Sequence, residues 1–307
     1  MDGDANAGGL LGALWWLIAQ IGQSFYNIGW AVANPGAWLN WSDNAAIMRF
    51  VYYGGSVELF FALFTLFLVL TIVGLWRHQI LWGYVRGAEW FGNNVGRVMA
   101  WAGLLMVLQQ TMIVFLQRIF LVSEISIGPF GKVFTKDLSW YGEELKLYNA
   151  AVVALCCAYT FIQGGHVRVD LVYGAVSRKS KKIIDMVGCL LFMIPSLTIM
   201  WLYSWYFLWR HLITPKVSAS DTFTLLERKA RIVKWNVETI GFSPNGFNAY
   251  FLFKMLIFAF CVMMVIQAMA FFYRNLLELR EGAKSDGKYQ DEDRLGDEIA
   301  EKAAHIH

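Results

Sequence analysis

"VELFFALFTLFLVLTIVGLW", residues 57–76, contains a single charge, Glu58, and that near its start. The run has the length of roughly 20 apolar residues that a helix needs to cross the hydrocarbon of a bilayer. A lone segment in hydrocarbon must satisfy its own backbone, so it is a helix. Four more runs of this kind follow: Val98 to Gln117, Leu147 to Gln163, Ile183 to Trp209 and Phe251 to Tyr273. A sixth, Leu10 to Ala33, is uncharged but less apolar, and Gln20, Gln23, Ser24 and Asn27 make one polar stripe at helical spacing. A span is the expectation for it, the stripe facing another helix; the alternative is a helix lying on the membrane with the stripe toward headgroups. The chain therefore reads as an all-α, polytopic membrane bundle.

The composition agrees. Only 16% of the 307 residues are charged, against about a quarter in a soluble chain. A net charge of +3 without a basic face argues against nucleic acid as a partner. Cys156, Cys157, Cys189 and Cys261 all lie in apolar runs and form no CxxC pair, so they read as packed thiols. The start, "MDGDANAGGLLG", has no basic region of the kind that opens a cleaved signal peptide. No internal repeat is visible, which weighs against a carrier built from inverted halves.

Lys and Arg set the orientation. They gather in three places: Arg168, Arg178, Lys179, Lys181 and Lys182; the connection holding Arg77, Arg86 and Arg97; and Arg274 and Arg280 at the start of the tail. If six runs alternate, all three lie on one side, the cytoplasm, and so do both ends of the chain. Arg178, Lys179, Lys181 and Lys182 then fix topology and meet anionic headgroups. The tail after Glu281 is rich in mixed charge and reads as a solvated extension.

Two stretches are candidate sites. In "DLSWYGEEL", residues 137–145, Asp137 or Ser139 caps a helix start and Glu143 and Glu144 fall near its first turn, where the dipole favours negative charge. Trp140 has the ring expected at a headgroup boundary. Adjacent carboxylates on a helix point about 100° apart, so they do not act as a catalytic pair; they form an anchored helix start or a contact for a cationic partner. In "GGHVRVDLVYG", residues 164–174, His166, Arg168 and Asp170 alternate without a nucleophile nearby, which suits a structural turn better than catalysis. Haem ligation needs His or Met inside the bundle, yet His78, His166, His211, His305 and His307 all occupy loops or the tail. A haem- or quinone-binding redox subunit is the alternative reading, and no cofactor is implied. Within the spans, polar residues such as Gln109, Gln110, Thr111 and Gln267 are expected to hydrogen-bond across helices, and Pro195 to mark a kink. Glu58, Asp185 and Lys254 stand near span ends. A translocation pathway normally shows intramembrane ionisable groups, so this chain is poorly equipped to move a charged solute alone.

The sequence resembles the small membrane subunit, Q-type or DctQ-like, of TRAP (tripartite ATP-independent periplasmic) transporters. The residues that carry the likeness are "WYGEEL" (Trp140 to Leu145), "GGHVRVDLVYG" (Gly164 to Gly174) and the basic "SRKSKKIID" that follows. The match runs from about Val98 to Tyr273. It implies a four-span core at 98–273 with a long periplasmic loop at 210–250. Residues 1–97 form an extension with one or two further spans, 274–307 a charged cytoplasmic tail, and an interfacial helix precedes the fourth run. "AYT" and "IPSLTIMWLYSWYF" look like the longer subgroup, often labelled mannitol/chloroaromatic or 2-oxoacid type. By resemblance the protein is no enzyme but sits in the bacterial inner membrane, where a sodium-coupled, elevator-type large subunit imports an organic acid delivered by a periplasmic binding protein. The small subunit scaffolds the large one without binding substrate. Trp140, Glu143, Glu144, His166, Arg168 and Asp170 match the family motif and are expected at the subunit contact or its anchoring.

Overall fold

The computed structural model describes residues 9–128, 133–164, 176–239 and 246–291. Its helices are α1 Gly9–Ala33, α2 Gly36–Leu39, α3 Asn44–Gly54, α4 Val57–Trp76 and α5 His78–Arg118, then α6 Leu138–Ile162, α7 Arg178–Gly188, α8 Ile194–Trp209, α9 Phe223–Ala230 and α10 Phe251–Glu281. A π turn, Cys189–Met193, joins α7 to α8. Five helical stretches are long and apolar enough to cross a membrane: α4, α5, α6, α7 through α8, and α10. The protein is an all-α, multi-pass bundle, as the apolar runs require.

Local chemistry sets the helix starts. Asp43, Asp137, Ser177 and Thr222 cap α3, α6, α7 and α9 by accepting a backbone N–H from the first turn, and Ser56 does the same for α4. At the far end of α10 the chain leaves through Gly282 at φ 89°, a left-handed conformation that glycine adopts without a Cβ penalty. Pro195 has no N–H to offer Leu191, and the π turn sits immediately before it, where the kink was expected.

Three features differ from the sequence reading. The connection Arg77–Arg97 is itself helical and continuous with the run after it, giving α5 its 41 residues. That is about 60 Å, twice the hydrocarbon thickness, so half of α5 stands outside it. The helical entry expected before Leu147 is the first part of α6, which starts at Leu138, but the chain reaches it through a β-hairpin that the sequence did not announce: β1 Glu124–Ile127 pairs antiparallel with β2 Phe134–Asp137. A second short pair, β3 Ile213–Thr214 with β4 Lys234–Trp235, closes part of the 210–250 loop. Alternation of apolar residues in strands of two to four is too brief to be seen in a sequence.

The chain packs as two units. The first comprises residues up to His78 with Ile199–Glu238. Its centre is the buried face of α3 (Ala46, Ile47, Met48, Val51) against Trp205, whose Nε1 donates to the Val51 carbonyl at 2.8 Å. Phe50, Trp41, Trp209 and Trp235 continue the aromatic cluster, and α9 covers α3. The second unit, Gln79–Thr198 with residues from Thr239 on, is organised around α10, which packs on α6 and α7. Here α5 meets α6 through glycines spaced i,i+4. A Cβ at Gly96 would fall 2.3 Å from Cβ of Tyr159, and one at Gly92 would fall 2.8 Å from Cδ1 of Ile162. Small residues of this spacing let two backbones approach closely.

Candidate functional site

The first polar group lies at the start of α6. Asp137 accepts from the Ser139 N–H, and Trp140 packs on Phe247 with ring centroids 5.3 Å apart. Glu143 accepts the backbone N–H of Phe247 at 2.8 Å, so it ties the approach of α10 to α6. Glu144 turns to the other side. It accepts from Gln109 of α5 at 3.1 Å and from the Tyr148 hydroxyl at 3.1 Å. Gln109 also reaches the Tyr141 carbonyl. The cross-helix role expected of Gln109 is thus present, and a buried apolar group of Ile113, Leu138 and Leu145 lies beside it. Glu143 and Glu144 are adjacent in sequence yet reach different neighbours, the segment before α10 and α5, because neighbouring helical positions diverge.

The second group is a polar knot at the opposite end of the same unit. Arg274 of α10, 9% exposed at its side chain, makes a bidentate pair with Glu89 of α5, the Nε contact at 2.7 Å. It also meets Glu278 at 3.5 Å and donates to the Lys288 carbonyl. Glu278 receives Lys182 of α7, and Arg178 donates to the Glu278 carbonyl and to the Asp286 carboxylate. Residues 282–291 fold back over these charges. Gly287 N–H donates to Glu278, Trp82 Nε1 donates to Glu281 at 2.9 Å, and Tyr289 lies edge-on to Trp82 under Arg86. Asp291 closes the knot by accepting from Asn93 and Arg97 of α5, while its carbonyl also accepts from Gln163 after α6. Buried charges tolerate burial only when paired in this way.

Asp286 gives the knot a pH dependence. The hydrogen bonds from Arg178 hold its carboxyl below the ordinary 3.8. A lowered carboxylate stabilises the fold fully above its unfolded value and loses that contribution as pH falls through the lowered one. A spin label at Lys284→Cys is therefore expected to stay immobilised from neutral pH to about 4 and to gain mobility only in stronger acid. Asp286→Asn, which leaves the Gly287, Trp82 and Asp291 contacts in place, should abolish that acid-induced change.

The sequence-derived candidates fall as follows. Trp140, Glu143 and Glu144 come together with Gln109 and Phe247 in the first group. His166, Arg168 and Asp170 lie outside the described residues. Of the basic turn, Arg178 and Lys182 face inward onto Asp286 and Glu278, and Lys179 is exposed. Sequence reasoning did not single out Glu89, Asn93, Glu278, Asp286 or Asp291, and it read Arg274 as a topology signal. The i,i+4 spacings Glu89–Asn93 and Arg274–Glu278 were the available sign once Arg77–Arg97 is taken as helix. All four cysteines are free thiols, Cys189 and Cys261 buried.

A multi-pass helical membrane protein with carboxylates tied between helices is the class this geometry defines. Residues 130–223 match the family model described as tripartite ATP-independent periplasmic transporters, DctQ component. That segment runs from the β-hairpin through α6, α7 and α8 to the start of α9, and it includes Trp140, Glu143 and Glu144. The matched family is that of a transporter component. No curated protein and no solved structure matches the chain.

Proposed function

We propose that this chain is the small permease subunit of a sodium-coupled TRAP transporter for an organic acid, in the inner membrane of a bacterium. It serves as a stationary scaffold for a large, moving subunit that receives solute from a periplasmic binding protein. The observation that carries this reading is the DctQ match over residues 130–223. The side chains support it. Glu89, Glu144, Arg274 and Glu278, four of the charges set within the long helices, are engaged with partners on other helices of this chain. Charges locked in pairs hold a frame rigid and are not available to carry solute or ions through it. In this reading the polar knot and the basic start of α7 face the cytoplasm, following the Lys and Arg balance. The hairpin and residues 210–250 face the periplasm.

Trp140, Glu143 and Glu144 then keep α5, α6 and the start of α10 in the arrangement the large subunit binds; His166, Arg168 and Asp170 are proposed for the corresponding cytoplasmic turn. The double reversal Glu143→Lys, Glu144→Lys is expected to reduce co-purification with the large subunit at least tenfold and to abolish uptake. Glu143→Gln, which keeps an acceptor for the Phe247 N–H, should retain both. Unaltered assembly and uptake in the double variant would refute the role.

A further inference from the structure

We propose that α1 does not cross the bilayer but lies along the outer lipid–water boundary, so that its start is on the membrane face opposite the tail. The identity of the outer face rests on the orientation proposed above; the placement of α1 does not. Two contacts fix α1 on α4. Ser24, 1% exposed, shares a hydrogen bond with Thr65, also 1% exposed. Trp16 sets its ring edge-on to Phe61 with centroids 5.4 Å apart. From Trp16 to Ser24 the contact on α4 advances from Phe61 to Thr65. Two spans joined as an antiparallel hairpin would do the reverse: with Ser24 at Thr65, Trp16 would stand about 12 Å deeper along α4, beside Val73.

The other end of α1 is held at the same side. Trp38 Nε1 donates to the Ala31 carbonyl at 3.0 Å, and its ring stacks on Phe50 at 6.3 Å. Phe50 in turn lies 5.4 Å from Trp205 and 6.0 Å from Trp209. The chain leaves this same cluster to begin α4, because Gly54 and Gly55 back onto Trp205 and Tyr206 just before the Ser56 cap. Trp16 and Ala31 are about 22 Å apart along the helix axis, yet both are secured near the start of α4. A helix pinned at one depth at both places lies across its neighbour.

The surface of α1 suits that position. From Gly9 to Ala33 there is no charge, and Trp15 (73% exposed), Tyr26 (71%), Phe25 and Trp30 project from it. Aromatic rings with a polar tip gather where hydrocarbon meets headgroups. Phe61 and Thr65 lie about 6 and 12 Å along α4 from its start, close to the depth to which in-plane helices bury their apolar side. Although α1 has 25 residues, it is not among the five stretches apolar enough to span. Five crossings put the start of α4, and α1 with it, opposite the tail. The occupant of its exposed face is outer-leaflet lipid.

Depth measurements test the placement. Nitroxide labels at Trp15→Cys and Tyr26→Cys, which share one face of α1, in the complex reconstituted into phospholipid vesicles, should report equal depths within a few ångströms; a difference of about 16 Å, the rise of a crossing helix, would overturn the proposal. Sidedness is read with a membrane-impermeant maleimide on spheroplasts, the unsubstituted chain giving the background. Asp4→Cys should react in intact spheroplasts and Ala304→Cys only after permeabilisation. Reaction of both only after permeabilisation overturns the proposal. The reverse pattern, Ala304→Cys reacting from outside and Asp4→Cys needing permeabilisation, supports the in-plane helix and overturns the orientation given for the whole chain.

Discussion

Replacing Gly96 by leucine is expected to abolish recovery of folded protein from the membrane, or to lower its thermal midpoint by more than 10 °C. The reason is local and steric. The position Cβ would take is 2.3 Å from Cβ of Tyr159 and 2.7 Å from its Cγ, and neither atom can swing aside as a side-chain tip would. Relief needs α5 and α6 to separate, which breaks the Gln163–Asn93 contact nearby and loosens the seam that Gly92 shares with Ala158 and Ile162. Overpacking a close interface costs about 1–3 kcal/mol where the backbone can yield, and more where two helices must part. Gly103→Leu supplies the control. It sits on the same helix with nothing within 4 Å of its Cβ position, so it should be recovered in wild-type amounts. Equal yields and melting behaviour for the two variants would show that the α5–α6 seam is not as close as described.

Arg274→Met is the second large effect. It leaves Glu89, 4% exposed, without its bidentate partner, and removes one of the cations facing Glu278. Breaking a buried pair by removing one side costs about 3–5 kcal/mol, because the remaining charge is stranded. The double variant Glu89→Leu, Arg274→Met removes both charges and should recover most of that loss, since an apolar pair of similar volume is often neutral. Denaturation in detergent micelles, with Glu89→Leu, Arg274→Met and the double variant compared with the unsubstituted chain, measures the coupling. Additive losses in the double variant would mean that the two side chains act independently.

Much of this architecture could be read from the order of residues. The apolar runs from Val57 onward each became a helix, and Asp137 caps α6 as its position suggested. Gln109, a lone amide in an apolar run, does bond across to another helix. What could not be read were pairings set by distance in space. Glu89 and Arg274 look like unremarkable charges at the edges of apolar runs, and nothing local says that they meet. The segment Arg77–Arg97 carries enough charge to pass for a loop, yet three of its polar residues, Glu89, Asn93 and Arg97, face one polar knot while Gly92 and Gly96 face α6. The hairpin before α6 is too short for a period to emerge, and its cross-strand hydroxyl contact, Ser126 with Thr135 at 2.9 Å, depends on register alone. At the start of α6 the residue types announced a site, but the separate partners of Glu143 and Glu144 came only from the fold.

The polar knot also imposes an order on biogenesis. Glu89 leaves the ribosome 185 residues before Arg274, its counter-charge, and Asn93 precedes Asp291 by 198. Until the ribosome has delivered both, a nascent chain carries an unneutralised carboxylate where the helices converge. A chain cut short before that point lacks the partners that tie α5 to the end of α10.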